Sequence, residues 1–136
     1  MKKALGIDLG DARIGVAASD DLGMLAHPVE TIPATQGDPV ARILEIAAIR
    51  GVAAIVIGMP RNMDGTYGPA ATKAKEFIEK IRARTTLQIS PWDERLTTVA
   101  AQRSLQESGR NTRSQKTIID QVAAQIILQG WLDAQV

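Results

Sequence analysis

Hydrophobic and polar positions in the first quarter of the chain follow a pattern that is typical of β-strands. Segments rich in small and β-branched apolar residues run over Lys3–Leu9, Arg13–Ala18 and Met24–Ile32. The turn-forming sequences GDA and SDDLG separate them, and connections this short join antiparallel neighbours. The pattern therefore predicts a meander of three antiparallel strands.

The remainder of the chain alternates between helical and strand patterns. Asp38 and Pro39 are suited to the N-cap and first position of a helix that ends at Gly51. The apolar run VAAIVIG then predicts a strand covered on both faces. The later predicted elements are a helix over Pro69–Arg84, a strand over Thr86–Trp92, a helix over Thr98–Ser108 stopped by Gly109, and a helix over Ser114–Ala134. The order βββαβαβαα predicts an α/β fold with a mixed five-stranded sheet, three antiparallel strands followed by parallel additions, flanked by helices.

Composition narrows the class of protein. A length of 136 residues suits a single domain over residues 1–136. The absence of cysteine excludes disulfides, thiolate zinc sites and cysteine nucleophiles. Glycine and aspartate interrupt MKKALGIDLGD before a signal-peptide core forms, and no apolar run reaches membrane-spanning length. We expect a soluble cytoplasmic protein without membrane contact. The net charge of +1 implies that any contact with nucleic acid is local.

Two carboxylates fall in apolar surroundings, where a charge is costly unless it is paired or bound to metal. Asp8 lies near the end of the first strand, where alternation places it on the same side as Ala4 and Gly6. Asp120 borders the buried face of the last helix, with Lys116 one turn earlier as an alternative ion-pair partner. Both acids are therefore candidate site residues.

A third acid follows the strand that ends at Trp92. Asp93 and Glu94 are adjacent, and neighbours on a strand point to opposite faces, so only one of them is expected in the site. Clustered carboxylates with no cysteine and one histidine suit a hard divalent cation such as Mg²⁺ or Mn²⁺. Phosphodiester hydrolysis by two such ions is the leading hypothesis.

Basic and polar residues near these acids are candidates for binding phosphate. Arg13 begins the second strand and has two possible partners, a phosphate or Asp11. The loop GMPRNMDGTYG offers Arg61 and Asn62, although its proline and glycines are equally suited to shaping a tight connection. The polar segment SGRNTRSQK predicts a mobile substrate-binding flap with three basic residues, Arg110, Arg113 and Lys116.

Four motifs carry a family resemblance: GIDLGDARIGVA, GMPRNMDGTYG, DERLTT and IDQVAAQIILQGWL. In this order and spacing they resemble the YqgF/RuvX family of Holliday junction resolvases, and the match spans nearly the whole chain. The resemblance implies a ribonuclease H-like fold and a bacterial cytoplasmic nuclease. It also implies that Asp8, Glu94 and Asp120 are the catalytic, metal-binding acids, which favours Glu94 over Asp93.

The resemblance leaves the substrate open between two kinds of nucleic acid. The first reading is hydrolysis of precursor ribosomal RNA in maturation of the 5′ end of 16S rRNA, for which a monomer suffices. The alternative is resolution of branched DNA, which requires paired nicks and hence a homodimer. A noncatalytic nucleic-acid-binding module is the alternative of another class, but it would not need three acids that repel phosphate. An actin-like or sugar-kinase ATPase also uses GIDLG, but needs a second lobe.

Overall fold

A computed structural model describes residues 2–60, 64, 66–94 and 113–135, with backbone alone at 113–118. In this part of the chain, five strands and three helices follow one another in the predicted order. Their bounds are β1 Ala4–Leu9, β2 Arg13–Ser19, β3 Ala26–Pro33, α1 Pro39–Arg50, β4 Ala54–Met59, α2 Pro69–Arg82, β5 Gln88–Asp93 and α3 Arg113–Ala134. The predicted helix over Thr98–Ser108 lies outside the described residues.

The strands form one sheet with the order β3-β2-β1-β4-β5. β1 pairs antiparallel with β2 and parallel with β4, and β5 extends the parallel side. Prolines occur in the two edge strands, at Pro28 and Pro33 in β3 and at Pro91 in β5, where a missing N–H interrupts no ladder on the outer side. The predicted mixed five-stranded sheet, with three antiparallel strands followed by parallel additions, is confirmed, and β1 is its central strand.

Side chains of β1 alternate between two different cores. Leu5 and Ile7 are fully buried with residues of α1 and α2, such as Ile43 and Ile81. The opposite face packs against α3 and is built from small residues, including Ala4, Ala17 and Ala54 in a cluster with Ile127, Leu128 and Trp131. Because these small side chains extend only a short way from the sheet, α3 packs close to the backbone of the strands.

Local chemistry fixes the ends of α1 as predicted. The Asp38 side chain accepts a hydrogen bond from the Ala41 backbone N–H at 3.1 Å, and Pro39 occupies the first turn. Gly51 ends the helix with φ of 64°, in the left-handed region. Arg84 donates to both carboxylate oxygens of Asp38, at 3.0 and 2.9 Å, so the residues after α2 are tied to the start of α1.

Several predicted boundaries shift, and two of these shifts lie next to a local hydrogen bond. β3 begins at Ala26 rather than Met24 because Asp20 holds the turn, accepting from the Met24 N–H through its side chain. β5 begins at Gln88 rather than Thr86, since the Thr85 hydroxyl accepts from the Leu87 N–H. α2 ends at Arg82 instead of Arg84. Within the described ranges, no helix combines the length and apolar character that a membrane span requires.

Candidate nuclease site

Four polar or charged residues are buried in the part of the chain that the structure describes. They are Asp8, Ser19, Glu94 and Asp120, with exposures of 3%, 5%, 8% and 8%. Ser19 has a structural explanation, because its hydroxyl accepts a hydrogen bond from the Ala4 N–H at 2.9 Å. The other three are the acids singled out in the sequence, and their burial is costly without compensating partners.

Asp8 lies at the centre of the sheet between two glycines on neighbouring strands. It pairs in register with Gly15 of β2. On the other side, Ile7 pairs with Ile57 of β4, so the next residue, Gly58, runs alongside Asp8. Because glycine has no side chain, the two neighbouring strands place no side-chain atoms on the α3 face of the sheet on either side of Asp8.

Asp120 occupies the space above Gly15. A Cβ atom added to Gly15 would lie 2.0 Å from the backbone carbonyl oxygen of Asp120 and 3.1 Å from its Cβ. These separations mean that α3 rests on the β2 backbone at this residue. Since Gly15 and Asp8 are cross-strand partners, Asp120 is brought next to Asp8 on the same face.

Glu94 occupies the corresponding space above Gly58. A Cβ at Gly58 would lie 3.4 Å from the Glu94 Cγ and 2.5 Å from the Ile127 Cδ1 of α3. Trp92 pairs with Gly58 and packs on the α3 side, so Asp93 points to the opposite face and Glu94 returns to the α3 face. The three acids thus form a row across β2, β1 and β4, with Asp8 in the middle.

Arg13 is the one described cation in direct contact with this row. Its Nε donates a hydrogen bond to Oδ2 of Asp120 at 2.7 Å. Asp11, the alternative protein partner considered from the sequence, instead pairs with Lys73 of α2 at 2.8 Å. The hydrogen bond from Lys73 and its positive charge hold the pKa of the Asp11 carboxyl below its usual value.

The donor chemistry of the row fits a hard divalent cation, because carboxylate oxygens are the preferred protein ligands of Mg²⁺. Among the described residues, however, no three acidic, histidine or cysteine side chains stand close enough together to hold one ion. Asp120 has one oxygen engaged by Arg13. The three acids are therefore of the residue type that binds Mg²⁺ and lie on the same face of the sheet, but their carboxylates do not converge on one point.

The other predicted substrate contacts lie partly outside the described residues. Arg61, Asn62 and Arg110 are among those not described. Arg113 and Lys116 belong to the first turns of α3, where the backbone alone is described, so the predicted flap is helical from residue 113 onward. The roles of all five residues remain predictions.

The described end of the loop after β4 has local order of its own. The Asp64 carboxylate accepts from both the N–H and the hydroxyl of Thr66, at 2.9 and 2.6 Å. Tyr67 is 49% exposed, and the Lys75 ammonium lies 4.2 Å from its ring centroid. Lys73, which pairs with Asp11, and Lys75 therefore add positive charge along α2, next to the loop that follows β4.

The two flanking glycines are the functional residues that sequence reasoning missed. Gly15 is in the interior of a strand and Gly58 near the end of one, and glycine weakens a strand unless something approaches its backbone. That rule was available from the sequence, but it does not reveal which segment approaches. The structure identifies Asp120 above the first glycine and Glu94 above the second.

Comparison with solved structures shows that the chain has a ribonuclease H-like fold. The chain aligns with Thermus thermophilus RuvC in complex with a Holliday junction substrate, with a TM-score of 0.61, 13% identity and coverage of 99% of this chain and 96% of that one. It also aligns with the fowlpox virus Holliday junction resolvase, with a TM-score of 0.52, 11% identity and coverage of 98% and 99%. At these identities the likeness concerns the fold alone.

Sequence relatives are much closer. A protein of Acetivibrio thermocellus, described as a candidate pre-16S rRNA nuclease, is 45% identical over 137 residues, covering 98% of this chain and 96% of its own. A protein of Nocardia farcinica with the same description is 47% identical over 139 residues, covering 96% and 77%. The profile of the RuvX Holliday junction resolvase family matches residues 2–134. The chain belongs to the RuvX family.

Proposed function

We propose that this protein is a divalent-metal-dependent nuclease that hydrolyses precursor 16S ribosomal RNA during maturation of its 5′ end. The observation that carries the proposal is the row of three buried carboxylates on one sheet face, with a glycine of each neighbouring strand making room beside Asp8. The substrate is proposed from the relatives described as candidate pre-16S rRNA nucleases.

Each acid has a role that follows from its position. Asp8 is on the central strand and is held by pairing on both sides, so it offers the most rigid ligand. Glu94 and Asp120 flank it and complete the oxygen ligand set. Mg²⁺ or Mn²⁺ bound there, proposed as a pair of ions, would activate water and stabilise the leaving oxygen of the phosphodiester.

Basic residues around the row are suited to orient the phosphate backbone. Arg13 reaches the α3 face of the sheet with its side chain 35% exposed, so it is accessible from solvent as well as from Asp120. Its planar guanidinium offers donors in a geometry that matches a phosphate. Lys73 of α2, which pairs with Asp11 in the turn that follows β1, is a further exposed cation that would contact the phosphate backbone.

The proposal is tested by pairing metal binding with cleavage in isosteric variants. Asp8→Asn, Glu94→Gln and Asp120→Asn each remove a charge while keeping shape. Each should reduce cleavage by about 10²-fold or more, since even the loss of a group that supports a metal ligand costs up to about 100-fold. Mg²⁺ should raise the melting temperature of the wild type, because it binds the folded state, and should do so less in each variant.

Asp93→Asn provides the matched control, because Asp93 neighbours Glu94 in sequence and points to the opposite face. Its cleavage rate and its Mg²⁺-induced shift should stay near those of the wild type. Equal Mg²⁺ shifts in all variants, with cleavage undiminished, would contradict the proposal. Binding of RNA without any cation-dependent cleavage by the wild type would point to a noncatalytic module instead.

Resolution of Holliday junctions is the second candidate, favoured by the description of the family whose profile matches the chain. It makes a different demand, since paired nicks require two active sites related by two-fold symmetry. Single-stranded RNA, single-stranded DNA and four-way junctions, assayed at equal concentration, separate the two readings. Preferential symmetric nicking of the junction by a dimeric species would favour resolution over RNA processing.

A further inference from the structure

Arg13 and Asp120 form an ion pair inside the proposed site, and the two partners differ in accessibility. The Asp120 side chain is 12% exposed, whereas the Arg13 side chain is 35% exposed. The contact uses the Arg13 Nε and one carboxylate oxygen. Among the described residues, Asp120 is the one to which Arg13 donates. The two terminal nitrogens of Arg13 make no hydrogen bond to any other described residue.

The surroundings explain why a cation is needed at this point. Asp120, Asp8 and Glu94 are buried on one face, where three carboxylates of the same charge repel one another. A guanidinium at 2.7 Å offsets the charge of one member of the row. Residues 13 and 15 of β2 lie on the same face of the sheet. Gly15 contacts the backbone of Asp120, and Arg13 supplies the cation that pairs with the Asp120 carboxylate.

We propose that Arg13 is the resident counter-cation of Asp120, and that it must leave this carboxylate when a divalent cation binds. This inference rests on the proposed function. A divalent cation ligated by Asp120 would share this carboxylate with the guanidinium of Arg13. Because both are positively charged, each weakens the binding of the other. Once released, Arg13 has its full set of donors for a substrate phosphate.

The first test is the affinity for Mg²⁺, measured by calorimetry on the wild type and on Arg13→Gln without nucleic acid. Arg13→Gln keeps a hydrogen-bond donor and removes the charge. It should bind Mg²⁺ about fivefold more tightly or better, a coupling of ordinary size between two sites. A residue that merely supported the fold, or that oriented Asp120 for the metal, would give weaker binding when replaced.

The second measurement is the melting temperature, because Arg13→Gln should affect the metal-free and the Mg²⁺-bound protein differently. Without metal, Arg13→Gln should melt at a lower temperature than the wild type, since Asp120 loses its counter-cation. At saturating Mg²⁺ this difference should shrink, because Arg13 no longer contacts Asp120 in either protein. With substrate, Arg13→Gln should raise KM and flatten its dependence on salt, because one phosphate contact is lost.

Two variants serve as controls. Arg13→Lys keeps the charge and should bind Mg²⁺ with nearly the wild-type affinity. Arg42→Gln removes another ion-paired arginine. Arg42 belongs to α1, on the face of the sheet away from α3, and donates two hydrogen bonds to Glu30, at 2.9 and 2.7 Å. It should leave the affinity for Mg²⁺ unchanged. An increase in affinity shared by Arg42→Gln would reduce the effect to overall charge and overturn the proposal.

The inference and the proposed function fail in different ways. If the wild type binds Mg²⁺ and cleaves RNA while Arg13→Gln binds Mg²⁺ equally or less tightly, the inference is wrong and the nuclease assignment stands. If the wild type neither binds Mg²⁺ nor shows cation-dependent cleavage, the proposed function is wrong and the inference falls with it.

Discussion

Replacement of Gly15 by alanine is the perturbation that the geometry of the site constrains most strongly. The added Cβ would lie 2.0 Å from the carbonyl oxygen of Asp120 and 2.4 Å from its carbonyl carbon. Both are backbone atoms of α3, so rotation of a side chain cannot relieve the overlap. Real Cβ contacts stay beyond 3.0 Å, so the helix must retreat by about 1 Å at Asp120.

This retreat should affect both stability and function. Overpacking of a close contact typically costs 1–3 kcal/mol, and a backbone overlap should fall near the upper end, at about 3 kcal/mol. A displacement of about 1 Å at a catalytic group can cost about 10²-fold in rate. We therefore expect Gly15→Ala to lose cleavage to that extent and to weaken Mg²⁺ binding by about tenfold, the usual effect of disturbing the support of a metal ligand.

Gly6→Ala separates the loss of support for Asp120 from general destabilisation. Its Cβ would lie 2.6 Å from the Leu128 Cβ and 2.7 Å from the Ala124 carbonyl oxygen, so it also pushes on α3. These two contacts lie one and two turns beyond Asp120, about 6 and 12 Å along the helix, whereas the Gly15 contact is with Asp120 itself. Gly6→Ala should lower stability while leaving Mg²⁺ affinity and cleavage, per folded molecule, close to those of the wild type.

The assays are urea unfolding for stability, calorimetry for Mg²⁺ affinity and single-turnover cleavage of RNA, all at a temperature where both variants are folded. The reasoning is refuted if Gly15→Ala cleaves at the wild-type rate, or if the two alanine variants lose cleavage and Mg²⁺ affinity to the same extent. Either result would mean that the contact with Gly15 does not position Asp120.

Two further predictions concern the stability of the fold. The hydrogen bond from Arg42 holds the pKa of the Glu30 carboxyl below its usual value of 4.5, so this pair stabilises the fold at neutral pH and loses that effect as the pH falls through the folded-state pKa. Urea unfolding of the wild type and of Glu30→Gln should therefore differ at pH 7 and converge as the pH falls below 4.5. Among the described residues, the indole N–H of Trp92 is buried without a hydrogen-bond partner. Trp92→Phe removes this unpaired donor while losing some packing, so the free energy of unfolding should change by less than about 1 kcal/mol. A larger loss in urea unfolding would contradict this expectation.

Much of the fold could be predicted because local and periodic signals agree with it. The order of the described strands and helices is confirmed, and the Asp38 cap and the Gly51 stop are where the sequence indicated. Predicted boundaries failed where short polar side chains extend a turn, as Asp20 does before β3 and Thr85 before β5. Such hydrogen bonds compete with the strand ladder, and periodicity does not report them.

The site was less predictable because its geometry comes from contacts between distant segments. Asp8 and Asp120 stood out as charges in apolar surroundings, which is a local signal, whereas Glu94 was favoured over Asp93 only through the family resemblance. All three acids are buried. The pairing of Arg13 with Asp120 joins residues 107 positions apart and has no local signature. The same holds for Gly15 and Gly58, whose role depends on which segment packs above them.

The most direct test of the central claim is to locate the bound cation. Crystals of the wild type soaked in Mn²⁺ should show anomalous density at the face of the sheet among Asp8, Glu94 and Asp120, and crystals of Asp8→Asn treated in the same way should show it weakened or lost. Density elsewhere on the protein, or density at this face that persists undiminished in Asp8→Asn, would contradict the assignment of these acids as the metal centre of a nuclease.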